Sequence, residues 1–220
     1  MQLKFASAFI LVICLLFIGC EKVPSEIESE TVEYTQELRP GAADGMDAFV
    51  YDYEPDRNLG THPDFMTAAW TGGGSEILVR NFIRFDLSNI PTDATVTSAK
   101  LSLYSYDSPS NGMHSIGNNA STLKKVMSSW TEDAVTWNNQ PSSSDESQIF
   151  LTSSDSEIQD YLDIDATDMV KEMVANPAEN FGFVLRIDTE ETYRRMVFAS
   201  SDNPNSDLHP KLDIEYSVIE

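Results

Sequence analysis

Cysteine is nearly absent from these 220 residues: there are two, Cys14 and Cys20. Cys14 falls inside an apolar run, Phe5 to Ile18, that follows Lys4. A run that short reads as the core of a cleaved leader rather than a membrane span. Its removal leaves Cys20 alone, which excludes a disulfide framework and leaves the fold to a hydrophobic core that the remaining length permits. Histidine is also scarce, and His62, His114 and His209 show no metal-ligand spacing. There is no Gly-x-Ser-x-Gly and no His-Glu-x-x-His, so these nucleophile and zinc-hydrolase signatures are missing. Gly72-Gly73-Gly74 is not followed by Lys-Ser/Thr and reads as a hairpin loop, not a phosphate cradle. Positive charge is the last shortage, with 14 Lys and Arg against 36 Asp and Glu and a formal net charge of −22. Such a field repels nucleic acid and anionic headgroups, so neither is an expected partner. A polyanionic glycan would need basic residues gathered locally.

The N-terminus carries the address. Phe17-Ile18-Gly19-Cys20 resembles a bacterial lipoprotein box, with an ordinary leader or an uncleaved anchor as the alternatives. On that resemblance residues 1–19 are a signal peptide, Cys20 is the lipidated residue, and the membrane is met through the lipid alone. Residues 20–40, with Glu26, Glu28, Glu30, Glu33 and Glu37, read as an acidic tether. Residues 41–220 form one domain, exported and anchored to the cell envelope at the outer membrane or cell surface.

What the domain has is period-2 alternation. Ile83, Phe85 and Leu87 fall on one face of a strand, with Arg84 and Asp86 on the other. Pro91 closes it. Ala99, Leu101 and Leu103 then alternate with Lys100, Ser102, Tyr104 and Tyr106, so both segments are half-buried strands of a sheet. Further strands are expected near 47–51, 65–70, 76–80, 123–127, 148–152, 161–164, 181–187, 194–200 and 212–218. Asp165 is placed to cap a short helix over 166–174, with Met169, Val170 and Met173 as its apolar stripe. Many short strands between turn signals indicate an all-β fold, an antiparallel β-sandwich of jelly-roll type with one short helix.

Four ordered motifs make the chain resemble a known family. They are Ile83-Arg84-Phe85-Asp86-Leu87-Ser88 with its following strand, Trp130-Thr131-Glu132 through Trp137-Asn138, Asn180-x-Gly182-Phe183-x-Leu185-Arg186, and Phe198-x-Ser200-Ser201 with Pro210-Lys211-Leu212. Together they are similar to the DNRLRE domain, which resembles bacterial carbohydrate-binding modules, some of them alginate-binding. The resemblance implies polysaccharide binding without catalysis by a surface lipoprotein. A structural or adhesive protein with a protein partner is the alternative from another class, and a polysaccharide-degrading enzyme the third.

Candidate sites follow. Arg84, Lys100, Tyr104 and Tyr106 share the outward parity of the central strands, Arg80 lies at their entry, and Arg186 points away from Phe183, Leu185 and Ile187. Cations and flat rings on one sheet would suit a uronate-bearing glycan, although such residues also simply cover a sandwich face. Trp130 and Trp137 read as core. Asp44 and Asp47, and Asp202 and Asp207, lie in loops dense in hard oxygen ligands. That composition suits a structural Ca2+, and turn chemistry explains it equally well. The abundant carboxylates single out no catalytic pair.

Overall fold

The computed structural model describes residues 29–220; Cys20 and the leader lie outside them. Eleven strands and one α-helix occur in the order β1 (Thr31–Leu38), β2 (Asp47–Tyr51), β3 (Asp64–Gly72), β4 (Ser75–Ile83), β5 (Thr95–Leu103), β6 (Ser121–Val126), β7 (Ser143–Leu151), β8 (Tyr161–Asp165), α1 (Thr167–Ala175), β9 (Phe183–Ile187), β10 (Arg194–Ala199) and β11 (Lys211–Ile219). They make two antiparallel sheets in a sandwich-like fold. One has four strands, β1-β11-β5-β8, and the other has seven, β10-β3-β4-β9-β6-β7 with β2 on β4. The main core lies between them, where Ile83, Phe183 and Leu185 meet Leu101, Leu103, Leu212 and Ile214. Met169, Val170, Met173 and Val174 of α1 join it. Among the described residues no helix is long and apolar enough to cross a membrane.

Three expectations need correction. The acidic tether does not extend to residue 40, because residues 31–38 are β1, paired in full register with β11 from Thr31↔Ile219 to Leu38↔Leu212. The central strand stops at Ile83, and Arg84–Leu87 leave the ladder. Phe85 and Leu87 are nevertheless buried, so the alternation reported burial where it was taken to report pairing. The helix is capped differently as well: Ala166 is its N-cap, without a side-chain cap bond. Asp165 instead accepts from the Thr167 amide (3.2 Å) and hydroxyl (2.6 Å).

β4 positions everything that follows. Ile77, Val79, Asn81 and Ile83 alternate onto one face, and Leu78, Arg80 and Phe82 onto the other. Ile83 enters the main core. Val79, on the same face, belongs to a separate cluster with Phe49, Met66, Ala68 and Val197. That cluster contains no residue of the four-stranded sheet, and in β3 and β10 its members Met66, Ala68 and Val197 take the parity opposite to the main-core residues Phe65, Met196 and Phe198. Phe82, on the opposite face, packs with Ala48, Val50, Val126, Trp130 and Val184.

Candidate functional site

Beside this separate apolar cluster lies a cleft of about 320 Å³, lined by Phe49, Tyr51, Leu59, Met66, Trp70, Val79, Arg57, His62, Asn111 and Arg195 among others. Local chemistry explains each wall. The β3–β4 hairpin turns on Gly73 and Gly74, both at positive φ (57° and 89°), the geometry of a two-residue primed turn. The pairing Trp70↔Ile77 follows from that register and lays the indole along the cleft. A second wall hangs from Asp64 at the start of β3. Its buried carboxylate accepts from the Ser108 hydroxyl at 2.8 Å and from Tyr106 and Asn111, which fixes the loop carrying Asn111. Gly112 (φ +67°) completes that loop, and a Cβ there would lie 2.9 Å from the Arg195 guanidinium. Arg195 therefore needs a glycine beside it.

Arg195 is the distinctive side chain. In β10, Met196 and Phe198 enter the main core while Arg195 takes the other parity and faces the cleft. Its guanidinium lies 4.4 Å from the Trp70 ring centroid, and its Nε donates to the Met113 carbonyl at 2.7 Å. Burial disfavours its charge and lowers its pKa. Among the described residues it makes no ion pair with a carboxylate, a condition shared with Arg39 and Arg84. Tyr193 packs edge-on against Trp70 at 5.2 Å, held at φ 69°. A left-handed tyrosine costs on the order of 1–3 kcal/mol, and such strain gathers at functional rims. On the opposite rim Arg57 donates to Glu54 at 2.7 Å. No described Asp or Glu lines the cleft itself.

The residues singled out from the sequence fall elsewhere. Arg80 and Arg186 do come together, outside the cleft, where both donate to Glu190 Oε1 (3.3 and 3.4 Å). Arg84, Lys100, Tyr104 and Tyr106 do not share a face, which corrects the parity argument. Arg84 follows β4 of the seven-stranded sheet, whereas Lys100 lies in β5 of the four-stranded sheet and pairs with Asp165 at 2.8 Å. That hydrogen bond, with those of Thr167, holds Asp165 down at about 2. Lys100 borders a recess of about 730 Å³, but Glu146, Asp165, Asp168 and Glu172 line it too, which disfavours an anion there. Tyr104 and Tyr106 lie beyond the end of β5. The first sits under Arg39, 5.0 Å from its centroid, and the second bonds Asp64, so its phenol titrates well above the usual range, mainly through burial.

The aspartates of the metal expectation lie in hydrogen-bonded loops. Asp44 accepts from the Gly41 amide at 2.8 Å. Asp47 accepts from the Ser201 amide at 2.9 Å, and the Asp207 amide donates to Asn205 at 3.2 Å. Burial raises the Asp202 pKa. Among the described residues no group of three or more His, Cys, Asp or Glu is placed to hold a metal ion. Trp130 is core as expected, 7% exposed, with its indole N–H on the Phe181 carbonyl at 2.9 Å. Trp137 is only half-buried, under the Arg80 guanidinium at 4.6 Å.

The family model for carbohydrate-binding module family 96 matches residues 42–216, nearly the whole described domain. The chain belongs to carbohydrate-binding module family 96. A module of this family is a non-catalytic carbohydrate binder, in keeping with a cleft of rings and cations. No curated protein matches the chain. The cleft residues Tyr51, Arg57, Trp70 and Arg195 were not identified in the sequence. One signal for Arg195 was there: it has the parity opposite to Met196 and Phe198, on a strand already recognised.

Proposed function

We propose that this family 96 module binds an acidic, uronate-bearing polysaccharide in the cleft, without acting on it chemically. The sugar faces lie on Trp70 and Tyr51, and a uronate carboxylate is taken by the free Nη edge of Arg195, with Arg57 at the rim. One observation carries the reading: in a protein of net charge −22, the aromatic cleft holds no carboxylate and presents an arginine without an acidic partner. Stacked on an indole, the guanidinium keeps a planar fork that matches a carboxylate bidentately. Glycoside hydrolysis would need paired carboxylates about the scissile bond, and the lining offers none.

Affinity electrophoresis through gels containing a uronate polysaccharide tests the site. Arg195→Ala and Trp70→Ala should each weaken retardation by about 10- to 100-fold, the roughly 1.5–3 kcal/mol of a hydrogen bond to a charged group or the similar value of a stacked ring. Unchanged retardation of both variants would remove the cleft from the account. Export and lipidation at Cys20 belong to the same proposal and rest on the leader's resemblance. Mass spectrometry of the mature N-terminus decides them, since a terminus downstream of Cys20 rules out the anchor.

A further inference from the structure

We propose that the surface of the seven-stranded sheet carrying Phe150, Arg186 and Arg80 is a second glycan-contact surface, so that one molecule holds two chains of the polymer. This rests on the proposed ligand class but not on the cleft. The register builds the surface. Thr122 of β6 pairs with Phe150 on β7 and with Arg186 on β9, and continuing the β4–β9 register by one residue sets Arg186 beside Arg80. Phe150, Arg186 and Arg80 thus form a row across four strands, about 14 Å long at three interstrand spacings. Phe150 is 69% exposed at one end. At the other, the Arg80 guanidinium lies over the Trp137 ring, 4.6 Å from its centroid, and donates to Gln140 at 2.9 Å.

Carboxylates are close as well: Thr122 of the same row holds Asp188, Asp52 acts on Arg80 and Arg186 on Asp145, and the two arginines share the Glu190 carboxylate. Their mutual repulsion, after burial, helps to lower the Arg80 pKa, and an arriving carboxylate would relieve it. Flat rings at both ends with cations between them meet both the sugar faces and the carboxylates of a uronate polymer.

In β4 the two surfaces take opposite parity: Ile77 and Val79 line the cleft, and Arg80, their neighbour, belongs to the row.

The three tryptophans separate the possibilities. Trp70 lies in the cleft, Trp137 on the second surface, and Trp130 is buried as an internal reference. Full-length protein is titrated with a short uronate oligosaccharide, followed by calorimetry and by the indole N–H resonances. The expected result is two sites per chain, with the Trp70 and Trp137 signals moving and Trp130 still. Trp70→Ala should keep the Trp137 response. Arg186→Ala combined with Phe150→Ala should reduce the stoichiometry from two to one and keep the Trp70 response. One site with a stationary Trp137 overturns the second surface and leaves the cleft. Movement of Trp137 alone overturns the cleft and leaves this surface, and no binding overturns both.

Discussion

Arg39, Arg84 and Arg195 differ in what surrounds them rather than in charge. Arg39 spends its donors on the Asp207 carbonyl (2.6 Å) and the Tyr104 hydroxyl (3.2 Å). Arg84 borders a recess shared with Asp44 and Asp86. Arg195 alone of the three lines the aromatic cleft, and so it carries the specificity proposed here. A second residue-scale consequence concerns Asp47, which is 2% exposed. Burial pushes its pKa up to about 7, the hydrogen bonds from Ser201 oppose that, and Glu132 and Asp202 add to it. A carboxyl group with a raised folded pKa stabilises the fold most below its unfolded value near 4. That contribution declines as pH rises and is lost above about 7. Wild-type protein should therefore melt higher at pH 5 than at pH 8, with Asp47 contributing up to roughly 2.7 kcal/mol of the difference, the two units between pH 5 and its folded pKa. Asp47→Asn keeps an acceptor for the Ser201 amide, so thermal melts of the variant should show a much smaller gap. An unchanged gap would mean that Asp47 is not the titrating group.

Elements were more legible than ladders. The alternation at 81–87 located buried Phe85 and Leu87 correctly, yet hydrogen-bonded pairing ends at Ile83, because side-chain period reports the core rather than the partner strand. The same limit hid the site. Arg80 and Arg186 were found by parity within single strands. The cleft needs residues from β2, β3, β4, β10 and two loops, and no single segment carries its pattern. β1 was missed for a different reason: Glu33 and Glu37 mask an alternation that seats Tyr34 on Tyr216 at 5.3 Å. A protein begun at residue 41 would lose that strand and bare the edge of β11. It should melt lower than one begun at residue 29 and associate through the open edge, as calorimetry and size-exclusion chromatography would show. Equal melting and monomer content would make β1 an ornament of the fold.

On the scale of the whole molecule, alternation gives the fold class, net charge limits the partners, and topology decides where the few cations act. The seven-stranded sheet carries, apart from the core it shares with the four-stranded one, a second apolar cluster beside which the cleft lies. Screening reduces fields beyond about 10 Å at 0.1 M salt, so an acidic surface elsewhere does not prevent an anionic chain from settling where acids are missing. The most direct test compares one uronate polysaccharide with its carboxyl-reduced, neutral counterpart by calorimetry, on wild-type protein and on Arg195→Ala. The account predicts that wild type binds the native polymer about 10- to 100-fold tighter than the reduced one, the value of a charge-assisted bond, and that Arg195→Ala binds the two alike. Equal affinity of wild type for both polymers, or a preference that survives in Arg195→Ala, would contradict it.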